Sequence, residues 1–280
     1  MKVKIIIFSA SFCFVVLLGI YQYVQFSNNS LRIIFCNVGQ GDAIYIRSPK
    51  GVDVLIDAGP DSSVLRCLGA HMPFWDKTIE LAFATHPDAD HIGGYKYVLN
   101  SYKIAMYNTV EVSKDTDLFK VIQDQLDALN VPIRRLVSGD TYNLNDGVFI
   151  KTYWPTKEFL KGYEPDTNRY SLIQLLNFNN FDLLLSGDAD FDIVNRIFIE
   201  GIDVDVYKLP HHGSKTGVDV NTFSIVRPQL GIISAGKNNR YGHPHKKVLN
   251  ELEKHGISFL ETKSGDIKIE TKGVGFTVRD

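Results

Sequence analysis

Two periodicities divide the chain. From Ile5 to Phe26 the sequence IIIFSASFCFVVLLGIYQYVQF runs for 22 positions without a charge, after Lys2 and Lys4. As a helix it would extend roughly 33 Å, about the ~30 Å hydrocarbon thickness of a bilayer, with Tyr21, Tyr23 and Phe26 near an interface. No small-x-small cleavage pattern follows Leu18, which favours a retained transmembrane anchor over a cleaved secretory signal. The lysines precede the span, and the next basic residue is Arg32, so the positive-inside bias places the body outside the cytoplasm. Cleavage would instead release a secreted protein on the same side.

From Leu31 onward, short apolar runs rich in Val, Ile, Phe and Tyr alternate with helical spacing. LRIIFCNV, AIYIRS and VDVLIDAG predict three strands joined by turns at Gly39, Gly41, Pro49 and Gly51. IELAFATH is continuously apolar, as a strand covered on both faces would be, and HIGGYKYVLNSY after it has helical spacing. LFKVIQDQLDALN predicts an amphipathic helix, and SLIQLLNFNNFDLLLSGD a hairpin turning at Asn179 and Asn180. VDVYKLP and QLGIISAG predict further strands; HKKVLNELEKHG predicts a helix starting just after Pro244, and FDIVNRIFIE one capped by Asp190. Hairpins mixed with strand-helix units predict an α/β sandwich of two mixed sheets with helices outside. Residues 1–30 thus form an anchor or uncleaved signal, and residues 31–280 one domain.

A 280-residue chain that is 44% hydrophobic and 22% charged is an ordinary globular protein rather than a disordered one. Setting aside Lys2 and Lys4, the body has 28 basic against 32 acidic residues, net −4, so tight nonspecific duplex binding would need Lys208, Lys215, Lys237 and Arg240 to line one groove. Cys13, Cys36 and Cys67 are widely spaced and odd in number, which suggests neither a disulfide framework nor a thiolate metal site.

Polar clusters follow the apolar strands. THPDADHIGG places His86, Asp88, Asp90 and His91 after IELAFA. Asp188 follows FDLLLSG, His211 and His212 follow VDVYKLP, and His243 and His245 come after GIISAG; only His71 and His255 lie elsewhere. Strand ends on one rim of an α/β sheet are where sites assemble. Neutral imidazole and ionised carboxylate are ligands of a divalent cation, and a cation offsets the repulsion among the acids. His86 and Asp88, two apart on an extended segment, point one way; Asp90 and His91, entering a helix, turn toward a second position. With Asp188 bridging, two divalent ions balance three carboxylates and a hydroxide.

HPDADHIGG, LIDAG ending near Asp57, LLLSGDAD, KLPHHGSK, NRYGHPH and NVGQGDA together resemble the metallo-β-lactamase fold hydrolases. Within them they resemble the ComEC-like branch, the extracytoplasmic domain of competence DNA-uptake proteins. The resemblance covers Leu31 to about Val278. It implies an αββα sandwich, His86, Asp88, Asp90 and His91 as signature ligands, Asp188 as the bridging ligand and a late histidine as the closing one, with His243 preferred to His245. Histidine is replaced at Asp88 and in the Asn168–Ser171 region, so His211 or His212 is left to supply a missing ligand. The harder donor set makes zinc and manganese both candidates.

Metal coordination would acidify water to a pKa near 7 and so supply a hydroxide nucleophile. Asp90 would orient it or take its proton, the second metal and Lys215 would stabilise charge on the attacked ester, and His243 or a metal-bound water would protonate the leaving group. Asp57, Asp42 and Gln40 are expected to orient ligands, and Ser214, Lys215, Asn239 and Arg240 to offer contacts to a phosphate oxygen. The expected activity is phosphodiester hydrolysis, of DNA outside the membrane. The alternatives are hydrolysis of a carboxylic ester, lactone, thioester or β-lactam, and a tethered DNA-binding protein without turnover.

Overall fold

The computed structural model describes residues 2–26 and 28–279, and for residues 2–10, 23 and 25 the backbone alone. The apolar N-terminus is one helix, Lys2–Phe26. Among the described residues no helix is long and apolar enough to cross a membrane. The expected span begins at Ile5, so its part at 5–10 lies outside the residues whose side chains are described. At its root, Gln22 Oε1 accepts from the Phe74 amide at 3.3 Å, and the Phe26 and Trp75 rings meet edge to face at 6.4 Å.

The body is a four-layer sandwich. One sheet has eight strands, in the order Thr277–Arg279, Ile267–Thr271, Leu31–Phe35, Ala43–Arg47, Asp53–Ala58, Leu81–Ala84, Tyr107–Thr109 and Ile133–Arg135. The other has seven, in the order Ser258–Glu261, Val226–Ile233, Ile202–Lys208, Phe181–Leu185, Ile173–Phe178, Val148–Trp154 and Thr141–Asn143. Each sheet is antiparallel at one side and parallel at the other, as hairpins mixed with crossovers require.

Strand alternation explains why these runs are apolar throughout. Ile33 and Phe35 face the layer between the sheets, with Phe83, Leu183 and Leu185. Ile34 and Leu184 point the other way, under the outer helices. Both faces of the central strands are covered, and each fully buried Leu, Ile or Phe contributes about 1.5–3 kcal/mol. Ser63–His71, Tyr95–Ser101 and Asp117–Ala128 cover the first sheet through Leu68, Val98 and Leu126. Phe191–Ile197 and Lys246–Lys254 cover the second through Val194 and Leu252.

Three local expectations change. The helix expected over 91–102 breaks into Ala89–Ile92 and Tyr95–Ser101. A methyl on Gly94 would sit 2.0 Å from the Ala58 carbonyl oxygen, so the break lies where helix and strand meet backbone to backbone. Asp190 occupies the position before Phe191–Ile197 but makes no capping bond, because its carboxylate accepts from Arg169 at 2.7 Å. Cys36 and Cys67, read as unpaired from sequence, are joined in a disulfide that ties the end of Leu31–Phe35 to the helix Ser63–His71. Pairing across 31 positions depends on the strand and helix being packed together, which cysteine spacing alone does not reveal. Lys208, one of the four basic residues that a duplex-binding groove would need, is buried in its strand.

Candidate metal centre

The strand ends bring the polar loops to one rim. His86 and His91 are fully buried, with rings 4.2 Å apart, and His91 lies 5.3 Å from His212, which is buried as well. Asp188 is central to the cluster. Its Oδ1 is 3.2 Å from His91 Nε2, and its Oδ2 is 3.3 Å from His212 Nε2 and 3.7 Å from His211 Nε2. Asp90 Oδ2 is 3.3 Å from His212 Nε2, and Asp88 Oδ1 is 4.0 Å from His86 Nε2.

Each buried imidazole has one nitrogen engaged and the other turned inward. His91 Nδ1 donates to Asp57 Oδ2 at 2.7 Å. The same carboxylate accepts from the Thr85 hydroxyl at 2.7 Å and, through Oδ1, from the Thr85 amide at 2.8 Å. That hydroxyl, with its proton given to Asp57, stands 3.1 Å from His86 Nδ1, and Ser171 Oγ stands 3.2 Å from it. His212 Nδ1 donates to the Ser234 carbonyl at 2.9 Å. The Nε2 atoms of His86, His91 and His212, together with Asp188 Oδ1, are buried without a hydrogen-bond partner. Buried polar atoms are rarely left so, and those of His91 and His212, which meet at Asp188, are matched to a cation.

Charge supports the fit. Burial works against a proton on His91, yet Asp188 and Asp57 raise its pKa well above the ordinary value. Burial also opposes protonation of His212, and Asp188 and Asp42 raise it in the same way. Burial tends to raise Asp188, but His212 and His91 hold it well below the carboxylate range. The cluster therefore calls for positive charge, which a divalent ion supplies as well as protons do. His86 differs, since burial and the facing His91 push it down to about 3 and leave its lone pair free.

Asp42, His91, Asp188 and His212 each offer an atom within 4.8 Å of the others, a geometry able to hold one ion. Asp42 nevertheless faces the Nδ1 side of His212, at 3.3 Å, and its other oxygen accepts from Lys208, whose ammonium also donates to the Leu209 carbonyl at 3.0 Å. One Asp42 oxygen is thus taken by Lys208, while the other is buried beside the ring without a hydrogen-bond partner; the Nε2 side of His212 faces Asp90 and Asp188.

The backbone decides between the paired histidines. His211 and His212 both adopt left-handed φ, 51° and 55°, a conformation costing non-glycine residues of order 1–3 kcal/mol. This turn carries His212 inward, while His211 stays at the rim with Nδ1 3.1 Å from the Thr216 hydroxyl. His243 reaches the cluster, its ring 6.3 Å from that of His212, whereas His245 caps Lys246–Lys254 by accepting from the Lys247 amide at 3.3 Å. Burial, with His211 and His212, depresses His243 to about 4. The neutral ring offers a lone pair rather than the proton expected for a leaving group. Lys215 is exposed.

Three residues at the site escaped the sequence reading of its chemistry. Lys114 donates to Asp88 Oδ1 at 2.8 Å, and the Thr167 hydroxyl donates to the same oxygen. Neither has a local sequence signal, because each comes from a loop distant in sequence. Lys208 had one: a lysine inside an apolar strand demands a buried partner. Gly41 is also set by the site. A methyl there would lie 2.2 Å from the Asp90 carbonyl oxygen, which itself accepts from the Asp42 amide at 3.2 Å.

Comparison with known proteins agrees with this geometry. Residues 36–142 match the model of the Metallo-beta-lactamase superfamily. ComE operon protein 3 of Bacillus subtilis (strain 168) is 28% identical over 287 residues, 93% of this chain and 35% of that protein. Recombination protein 2 of Haemophilus influenzae is 27% identical over 273 residues, 92% of this chain and 30% of that protein. The chain thus spans roughly a third of the length of these relatives. Among solved structures, Igni18, a metallo hydrolase from Ignicoccus hospitalis, aligns with TM-score 0.54 and 14% identity over 90% of this chain and 99% of its own. Zn(2+)-bound PqqB from Methylobacterium extorquens aligns with TM-score 0.56 and 10% identity over 85% and 99%. At such identities the likeness is one of fold. With residues 36–142 matching the superfamily's pattern on a sandwich that aligns in fold with these structures, the chain is similar to the metal-dependent hydrolases of the metallo-β-lactamase superfamily.

Proposed function

We propose that the protein is a membrane-anchored, dinuclear metal-dependent phosphodiesterase acting on DNA outside the cytoplasm. The observation that carries the metal reading is the meeting of two buried, unpartnered Nε2 atoms, those of His91 and His212, at Asp188, with the equally unpartnered His86 Nε2 beside them in the ring cluster. His86 and Asp88 would hold one ion; Asp90, His91 and His212 would hold the other, with Asp188 between them and His243 beside the second. Bound divalent ions would acidify water to a pKa near 7 and polarise the phosphoryl oxygen. Asp57 and Thr85 keep His91 and His86 turned inward, Asp42 and Lys208 do the same for His212, and Lys114 holds Asp88 as an anion facing the site.

Two observations support the location. The Cys36–Cys67 disulfide suits an oxidising compartment, and the uncharged run from Ile5 to Phe26 after two lysines suits a tether oriented with the body outside. Resemblance to the extracytoplasmic domain of competence DNA-uptake proteins, and the name of Recombination protein 2, support DNA as the substrate.

The test uses the full-length chain purified in detergent. Metal analysis is expected to return close to two ions, and the zinc or manganese form is expected to cleave linear single- or double-stranded DNA. Turnover restricted to a panel of carboxylic esters, lactones, thioesters and β-lactams would move the protein to that substrate class. DNA binding without metal and without turnover would leave only a tethered receptor.

A further inference from the structure

Beside the metal centre lies a cleft of 550 Å³, lined in part by Gln40, Pro60, Asp90, Asn239, Arg240 and Tyr241. Its size falls in the range of small-ligand sites, roughly 300–1,000 Å³. A column of rings runs into it from the cluster. His91 stands 5.3 Å from His212 at 36°, His212 lies 6.3 Å from His243 at 30°, and His243 lies 5.6 Å from Tyr241 at 22°. The last ring of the column, Tyr241, is 53% exposed.

The loop that carries Tyr241 is pinned. Asn239 donates to the Gly236 and His243 carbonyls at 2.8 and 2.7 Å and accepts from the His243 amide at 2.9 Å. Gln40 Oε1 accepts from the Gly236 amide at 3.3 Å, so the loop is also tied to the opposite wall. Among the described residues, Arg240 is the one basic residue on the cleft lining, which also carries Asp61 and Asp90. Its guanidinium lies 5.0 Å from the centre of the Tyr241 ring and donates to the Tyr241 hydroxyl at 2.9 Å.

We propose that Tyr241 and Arg240 form a nucleotide subsite, in which Tyr241 continues the ring column by stacking an unpaired base and Arg240 holds an adjoining phosphate of single-stranded DNA. The assignment rests on the phosphodiesterase reading and narrows its substrate to a strand with exposed base faces. A body with net charge −4 cannot depend on its overall field to hold a polyanion. Stacking supplies sequence-tolerant affinity without added positive charge, and a base in a duplex has no free face to give. A fixed, solvent-facing aromatic ring beside a single guanidinium matches that chemistry.

Fluorescence anisotropy on the metal-loaded full-length protein tests the subsite. Two labelled strands of about 12 nucleotides, in the range of single-strand binding sites, are compared: oligothymidylate and a fully abasic strand of equal charge, both phosphorothioate-linked to resist cleavage. Wild-type protein is expected to bind the thymidylate about 10-fold more tightly than the abasic strand. Tyr241→Ala should erase that difference, Tyr241→Phe should keep most of it, and Arg240→Ala should weaken both strands alike. Equal binding of the two strands by the wild type, or a difference that survives Tyr241→Ala, overturns the subsite. DNA cleavage without base preference would do so while leaving the hydrolase reading intact. Base preference in a protein that never cleaves DNA would have the reverse meaning.

Discussion

The two sheets contribute to the candidate metal centre in different ways. The first supplies His86, Asp88, Asp90 and His91 from six consecutive positions, and it orients the two imidazoles through Asp57 and Thr85 at neighbouring strand ends. The second supplies Asp188, His212 and His243 from three separate loops, with the paired histidines on left-handed backbone and a buried Lys208–Asp42 ion pair behind His212. One half takes its donors from adjacent positions and the other from separate loops. Both lean on groups distant in sequence, Lys114 and Thr167 at Asp88 and the Lys208–Asp42 pair behind His212.

The largest effects should come from removing inward-facing ligands. His91→Ala and His212→Ala are each expected to lose metal and turnover by more than about 100-fold, above the 10–100-fold that outer supports cost. His243→Ala should cost less, on the order of 10-fold, because its ring is half-buried and outside the tightest contacts. Metal content and single-turnover rates check the order, and equal losses at 212 and 243 would erase the distinction between the two late histidines.

Next come the supports. Asp57→Asn and Asp42→Asn are each expected to weaken metal binding by about 10–100-fold. Asp42→Asn should also destabilise the fold more than Asp57→Asn, because it strands the buried Lys208 ammonium, and breaking such a pair costs about 3–5 kcal/mol. Competitive chelator titration and thermal unfolding separate the two effects.

The smallest is the response to acid. His86 and His243, at about 3 and about 4, take up protons more readily unfolded than folded. Their contribution to stability is full above the ordinary value of 6.5 and is lost as the pH falls through that window. His91 and His212 have the opposite sign when no ion is bound, since their raised values favour the fold at low pH. Bound metal removes that compensation by keeping all four rings unprotonated. Acidification from pH 7 to 5, on the flank of the histidine range, should therefore lower the melting temperature of the loaded protein more than that of the chelator-treated one.

The same contrast explains what could be read from sequence. The strands were legible because continuous apolar runs can hardly be anything but covered sheet, and HPDADHIGG because its donors are adjacent. Asp57 was legible as an orienting residue from its place at a strand end. The choice of His212 over His211 was not, because it depends on two φ angles that no composition encodes. The disulfide was hidden because Cys36 and Cys67 become neighbours only after the strand and helix dock. Lys114 and Thr167 were hidden for the same reason, both meeting Asp88 across long loops. The burial of Lys208 takes one of the four basic residues away from the groove that tight duplex binding would need.

The contact between Gly41 and the Asp90 backbone leaves no slack between the wall of the cleft and the signature loop. Whatever presses on the Gly39–Gln40 wall bears on the main chain that carries a proposed ligand. Filling the cleft and gripping the ion thus share one mechanical joint, and thermodynamic reciprocity requires any help that one gives the other to be returned in equal measure.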